Sequence, residues 1–336
     1  MRIVKYIALF LCSFLWLLGC SNDLSKYLFA HHLVKDDYRY GDLYRMSNLK
    51  QFKALKEDCN TLKVQATPHT HLYLAGDSFT EEGRIEGNQF AASDFTRFRV
   101  DQVSAFPMDK SQHNILVIET VERHFRERFA EPWKGLRLVD EENKDQIPEA
   151  DSRSLWTKVW DFSLPYNEEL HQSILFGYDW TMKVREWKAA LNYTLFDRVD
   201  EHVKLSKNQA HLLYYLPSEP GISSAFEVID NEEISNLVRN VNATYSYYKN
   251  LGFDEVYLAI IPNKTSILGQ DLGEYNRLAE RIERAPDIKM PVIDAYQEFM
   301  KLGEKAYALG DTHWSCEGQT YWVNAVNNRV LRDFMN

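Results

Sequence analysis

Three short apolar runs punctuate the chain, and each ends on a turn-forming or polar residue. Residues 71–75 (His-Leu-Tyr-Leu-Ala) run into Gly76, residues 114–120 read Asn-Ile-Leu-Val-Ile-Glu-Thr, and residues 255–262 read Glu-Val-Tyr-Leu-Ala-Ile-Ile-Pro. Short apolar runs bounded by turn signals predict buried strands. Helical spacing fills the intervals. Residues 122–129 predict a charged helix. Residues 178–196 carry Trp180, Val184, Trp187, Leu191 and Leu195 at helical spacing, which predicts an aromatic stripe packed on the core. Residues 232–251 place Ile234, Leu237, Val238, Val241, Tyr245 and Tyr248 on one side, and Gly252 closes the helix as a C-cap. Further helices are predicted around 275–283, over 295–302 and over 319–334, with a short strand at Val292-Ile293-Asp294.

Strands alternating with helices of this length predict an α/β fold. The expected form is a three-layer α/β/α sandwich with a central parallel sheet covered on both faces. Residues 131–173 are polar and irregular, with an exposed turn at 140–145, so residues 131–230 read as a helical and irregular insertion or lid. No repeat and no symmetric halves are visible. Residues 61–336 therefore read as one domain with an insertion, and a two-lobed solute-binding architecture is disfavoured.

The N-terminus changes the picture. Arg2 and Lys5 precede an apolar stretch, Ile7 to Leu18, interrupted only by Ser13, and then comes Leu17-Leu18-Gly19-Cys20. This is the pattern of a lipoprotein signal peptide over residues 1–19, with Cys20 lipidated as the mature N-terminus. An uncleaved anchor is the alternative, but the run is short against the roughly 20 residues a membrane span needs. On either reading the body is exported and stays tied to a membrane, with residues 20–60 as tether and lead-in. The expected location is the cell envelope, on the periplasmic side. Cys59 and Cys316 then remain in a compartment that permits disulfides, and their spacing does not decide whether they pair.

Composition bounds the function. The 336 residues are 45% hydrophobic and 26% charged, which suits a globular protein with a large core. The formal net charge of −10 disfavours a nucleic-acid binder, which needs a basic face. No Cys/His cluster has metal-ligand spacing, and the His31-His32 pair reads as solvated surface, so neither a metal nor another cofactor is implied.

Two motifs at opposite ends of the chain carry chemistry. Gly76-Asp77-Ser78-Phe79 places a serine directly after the first strand, and Gly310-Asp311-Thr312-His313-Trp314 supplies an aspartate and a histidine two positions apart. A serine hydroxyl needs a base to become a nucleophile, and an imidazole oriented by a carboxylate is the usual one. Catalytic groups in open parallel sheets gather at the carboxyl ends of the strands. Ser78, Glu119, Asn263 and Lys264 all fall there, and Asp311 and His313 sit just before the last helix. The bland alternative for each motif is a helix cap. Alone, Gly-Asp-Ser is weak; paired with Asp-x-His across a parallel-sheet pattern it outweighs that alternative.

These motifs resemble the SGNH (GDSL-like) hydrolase superfamily. The stretch Tyr307-Ala308-Leu309-Gly310-Asp311-Thr312-His313-Trp314-Ser315, with Gly318, is similar to the Asp-Thr-His-Trp motif of the AlgJ/AlgX-type alginate O-acetyltransferase group. Val117 to Arg123 resembles that group's strand ending in a Glu-Arg pair. The serine precedes the Asp-His pair here, as in ordinary members of the superfamily and unlike the alginate group. The likeness is therefore to the superfamily and its motif chemistry, and alginate is not implied as substrate.

The resemblance implies a Ser78–His313–Asp311 triad, with an oxyanion held by the Ser78 backbone N–H, by Asn263 and by a donor at Gly83 or Arg84. Trp314 and Tyr307 are candidates for lining an acceptor site, with core packing as the equal alternative. Arg123 is a candidate for an acidic sugar, with helix-surface ion pairing as the alternative. Three functions stay open: acyl transfer to an envelope or secreted polysaccharide, with a membrane-bound O-acyltransferase as the expected acyl donor; a polysaccharide or peptidoglycan acetylesterase; and a non-catalytic glycan-binding lipoprotein.

Overall fold

The computed structural model describes residues 2–18, 27, 31, 44–53, 59, 64–139, 179–200, 202–214 and 221–335. The exposed turn expected at 140–145, much of the insertion and Cys20 lie outside these residues. Residues Arg2–Leu18 form helix α1, and no described helix is long and apolar enough to cross a membrane.

The three apolar runs form strands, as expected: β1 (Thr67–Gly76), β4 (His113–Val121) and β8 (Glu255–Ile261). They lie side by side in a parallel sheet with β4 in the centre, and β2 (Ala92–Arg99) adds a fourth strand on the outer side of β1. The alternation of side chains along these strands splits the core in two. Leu72, Leu74, Ile115, Val117, Tyr257 and Ala259 belong to one cluster; Tyr73, Ala75, Leu116, Ile118, Val256 and Leu258 belong to the other. Continuous burial on both faces explains why these segments are unbroken apolar runs.

Helices complete each cluster. The 21-residue helix Asn231–Leu251 turns Leu237, Val238, Val241 and Tyr248 inward on the second face. Asp230 caps its start by accepting from Glu233 N–H, and Gly252 ends it at φ 114°, a left-handed conformation that glycine adopts without strain. Leu278–Glu283 packs beside it. Tyr296–Leu302 and the C-terminal helix Cys316–Met335 cover the first face through Phe299, Trp322, Val323, Val326 and Val330.

Three expectations need correction. Strand β2 was not anticipated: as an edge strand it leaves Ser93 and Asp94 exposed and Arg97 and Arg99 only partly buried, which erases the apolar signature. Val292-Ile293-Asp294 contributes only a single bridge to Leu258 rather than a strand. The stripe on helix Asp179–Phe196 does not face the core. Trp180 and Trp187 are each 69% exposed, and Val184 and Leu195 are exposed with them. The helix instead presents Ala189, Ala190 and Tyr193 inward. They pack on Met46, Leu49 and Phe52 of the lead-in and on Val203 and Leu212 of the hairpin β6 (Val203–Leu205) and β7 (Leu212–Tyr214). Part of the lead-in thus belongs to a third apolar cluster. In the remaining described part of the insertion, β5 (Leu136–Leu138) pairs in parallel with β3 (Ser104–Phe106).

Cys59 and Cys316 form a disulfide that ties the lead-in to the start of the last helix across 257 positions. Closing so long a loop removes much unfolded-chain entropy, worth about 4–5 kcal/mol in the chain-entropy account. A Cys59→Ala, Cys316→Ala double variant is expected to lose a few kcal/mol in denaturant melts and to melt alike with and without reductant, whereas the parent is expected to drop on reduction.

Beneath the sheet, burial and then the neighbouring Asp294 and Glu122 charges push the Glu283 carboxyl up to about 9. A carboxyl whose folded pKa is raised favours its neutral form. Its stabilising share is present below the unfolded value near 4.5 and is lost as pH rises towards 9. Glu283→Gln keeps a donor towards Asp294 and removes the ionisation. It is expected to match the parent at pH 4 and to be more stable at pH 8 by on the order of 2 kcal/mol, read from urea melts at both values.

Candidate active site

The serine turn is built by close packing at the end of β1. A side chain on Gly76 would place its Cβ 1.9 Å from Thr80 Oγ1 and 2.8 Å from Glu119 Oε2, so only glycine fits. The next residue pins the turn to β4. Asp77 N–H and the Thr80 hydroxyl both donate to Glu119 Oε2, each at 2.9 Å. In return Asp77 Oδ2 accepts from Val121 N–H at 2.7 Å, and Oδ1 accepts from Phe79 N–H at 3.0 Å. Burial, and then the Asp77 charge, push the Glu119 carboxyl well above its usual value. The Glu119 carboxyl therefore favours its neutral form, since a second buried charge of like sign beside Asp77 would be costly.

The Asp-His loop is built from the opposite direction. Lys264 follows β8 and opens the short helix Lys264–Leu268, with its ammonium turned inward. Nζ donates to the carbonyl oxygens of Ala308 at 2.5 Å, Leu309 at 2.9 Å and Asp311 at 3.0 Å. A buried ammonium has three donors to place, and three carbonyls of one loop receive them. Ala308 N–H donates to His313 O, and Leu212 N–H of β7 donates to Leu309 O. The Tyr307 hydroxyl donates to Pro262 O at 2.7 Å. Gly310 backs onto the lead-in, where a Cβ would meet Ser47 at 2.9 Å.

These two constructions bring Ser78 and His313 together. Ser78 Oγ lies 2.9 Å from His313 Nε2, and His313 Nδ1 lies 2.5 Å from Asp311 Oδ1. Asp311 accepts only, so Nδ1 carries the ring proton and donates to it. This leaves Nε2 as the acceptor for the Ser78 hydroxyl. Asp311 Oδ1 also accepts from His313 N–H at 2.8 Å, which locks the pair's geometry. Burial alone would raise the Asp311 carboxyl; the hydrogen bond and charge of His313, helped by Arg84, override it and hold the group well below the usual carboxylate range. The Phe79 ring packs 4.6 Å from the imidazole and edge-on to Trp314, fixing the far face of the ring. Asp311 and His313 are buried, while Ser78 is partly open and lines a cavity of about 330 Å³ with Arg99, Asp101, His124, Glu127, Arg128 and Ile222. The arrangement can accept a proton from a serine hydroxyl and stabilise the resulting imidazolium.

The other expected residues divide. Asn263 and Arg123 line an adjoining cavity with Thr312 and Ile222. The backbone N–H of Asn263 is spent on Glu122 Oε2, at 3.0 Å, while its side-chain Oδ1 is buried with no partner among the described residues. Arg123 forms no helix-surface ion pair among them. Gly83 is not free to serve as a donor: at φ 82° in an exposed turn, its N–H donates to Glu86. Arg84 is bound to Glu81 and contributes charge to Asp311 rather than a donor to the serine.

Trp314 and Tyr307 are core residues, packed on Phe79, Trp322 and Phe299 and absent from the walls of either cavity, so the acceptor-lining expectation is corrected. The clamp formed by Lys264, and the lining by His124 and Arg128, were not anticipated. A lysine directly after a buried strand and an Asn cap was the available signal for the first.

Lys264→Met is expected to leave the three loop carbonyls without their donor. It should cost about 1–3 kcal/mol in denaturant melts, with faster amide exchange confined first to the 308–313 loop. Comparison with protein-family models, with curated proteins and with solved structures finds no match, so the site's chemistry is carried by its own geometry.

Proposed function

We propose that this chain is an exported, membrane-tethered acyltransferase of the SGNH type. It would move an acetyl or similar acyl group onto hydroxyls of an envelope or secreted polysaccharide. The single observation carrying the proposal is the Ser78–His313–Asp311 relay, assembled from residues 235 positions apart at the carboxyl end of a parallel sheet. A capping role for either motif requires no such meeting. The serine in the turn after β1 and the Asp-x-His before the last helix support the superfamily reading. Transfer is favoured over hydrolysis by the export signal and by the likeness of the Asp-Thr-His-Trp stretch. The expected acyl donor is a membrane-bound O-acyltransferase.

In the proposed cycle His313 Nε2 takes the Ser78 proton as Oγ bonds to the acyl carbonyl carbon. The carbonyl oxygen becomes the oxyanion. The backbone N–H of Ser78 and the side-chain Nδ2–H groups of Asn263 are the proposed donors. Collapse breaks the donor's acyl–oxygen bond, and the imidazolium returns its proton to the leaving oxygen. A sugar hydroxyl then gives its proton to His313 and attacks the acyl-serine. Breaking the Ser78 ester releases the acylated sugar, and the imidazolium reprotonates Oγ. Asp311 holds the ring in the required tautomer throughout.

A fluorophosphonate probe is expected to label the parent at Ser78 and to leave Ser78→Ala unlabelled. On p-nitrophenyl acetate, Ser78→Ala and His313→Ala are each expected to lose about 10³–10⁴-fold in kcat. With an oligosaccharide acceptor present, acetylated sugar supports transfer, whereas acetate released at an unchanged rate supports the acetylesterase. Glycan binding with no labelling and no turnover would mean a scaffold.

A further inference from the structure

Helix Asp179–Phe196 is fixed to the body by one side and leaves an apolar stripe facing outward. Viewed down its axis, Trp187, Trp180, Leu191, Val184 and Leu195 fall on one narrow arc, and Lys183 and Lys188 flank the arc on either side. Both lysines are exposed, as are both tryptophans. Glu186 sits on the opposite side and accepts from Asn48 Nδ2 of the lead-in at 2.7 Å. Beyond the stripe, exposed Phe196 carries the Arg198 guanidinium 5.7 Å above its ring. The stripe runs about 22 Å from Trp180 to Leu195 at helical rise. A contiguous apolar patch this long on an exported protein needs an occupant.

We infer that this stripe lies in the headgroup region of an anionic lipid bilayer. An aromatic and aliphatic arc edged by lysines is the composition of a helix that rests in an interface: tryptophans sit at headgroup level while lysine stems cover apolar surface and carry charge to phosphate. Charge supports the choice. The chain as a whole is acidic, at −10, so an anionic surface repels most of it. The described outward arc of this helix carries only cationic charge and therefore selects the approach. Chain geometry agrees. Residues 44–53 of the lead-in pack against the inner side of this helix through Phe52, Leu49 and Met46. A lipid on Cys20 would be joined in the chain to the segment that packs against this helix.

Docking has a consequence for the site. The helix packs on the β6–β7 hairpin, Leu212 N–H of β7 donates to Leu309 O, and the Thr265 hydroxyl donates to Tyr214 O. The Asp311–His313 loop is therefore one packed layer from the lipid-facing helix. This places the acyl-accepting serine close to where a membrane-embedded donor would present its group. That last step rests on the proposed function; the docking itself does not.

The test uses the full chain on vesicles of phosphatidylcholine and phosphatidylglycerol whose acyl chains carry bromine near the headgroup. Parent tryptophan fluorescence is expected to fall on brominated relative to plain vesicles, and Trp180→Phe, Trp187→Phe is expected to abolish that component. Val184→Glu, Leu191→Glu is expected to weaken vesicle partition by at least about tenfold with the melting temperature unchanged. The same measurements on Cys20→Ser separate the readings. Stripe-dependent quenching that persists without the lipid upholds docking even if the lipoprotein reading fails, and Ser78 labelling stays intact in every stripe variant if the enzymatic reading holds. Equal quenching in parent and double Phe variant overturns the inference. So does absence of quenching, whether sedimentation shows a second copy on the stripe, as a doubled mass lost in the Glu variant, or a monomer with the stripe covered by residues 140–178.

Discussion

Four carboxyl groups and one ammonium are buried at one end of the parallel sheet: Asp77, Glu119, Glu122, Asp311 and Lys264. Taking a charge out of water is expensive unless it is hydrogen-bonded or neutralised, so each must find partners at once. Asp77 is held by two backbone N–H groups, Lys264 by three carbonyls, and Asp311 by the His313 ring and backbone. Glu122 accepts from Asn263 N–H, Ser266 and Tyr275, yet burial still pushes it above its usual value. Glu119 is raised further. Satisfying this set fixes the two loops that carry Ser78 and His313, and the relay is the geometric consequence.

The same network explains why the site is rigid on one side and open on the other. The imidazole is packed on Phe79, and its loop is anchored by Lys264, Tyr307 and the hairpin. His211, beside that loop, is pushed down to about 4 by burial and by the Lys264 charge, so it stays neutral where Lys264 is charged. The single ammonium is therefore not opposed by a second cation. Ser78, by contrast, faces a cavity edged by the partly buried Arg99 and Arg128 and the exposed Asp101 and Glu127.

The outward apolar face of helix Asp179–Phe196 and the proposed lipid tether both bear on the lead-in. The lead-in is a structural part of the body: Met46, Leu49 and Phe52 are buried, and Cys59 is joined to Cys316 at the start of the last helix. Under the proposed docking, residues 44–53 and the Cys59–Cys316 link join the lipid-facing helix to the body through packed side chains and a covalent bond.

The strands β1, β4 and β8, the long amphipathic helix and its glycine cap were legible because burial on two faces, or along one helical stripe, imposes a pattern on consecutive residues. The serine was legible as a type at the end of a strand, and the Asp-His pair as a type just before the last helix. What pairwise spacing along the chain could not contain was contact between them. The 2.9 Å approach of Ser78 to His313, the Lys264 clamp and the Cys59–Cys316 link join positions separated by tens to hundreds of residues, and only packing decides them. Edge strand β2 escaped because half of it meets solvent. The tryptophan stripe misled for the reverse reason: helical spacing reports that a face is apolar, and only the tertiary structure decides whether protein lies against it. Periodicity therefore determined the elements, while the desolvation of four carboxyl groups and one ammonium, which depends on their neighbours in space, determined the site.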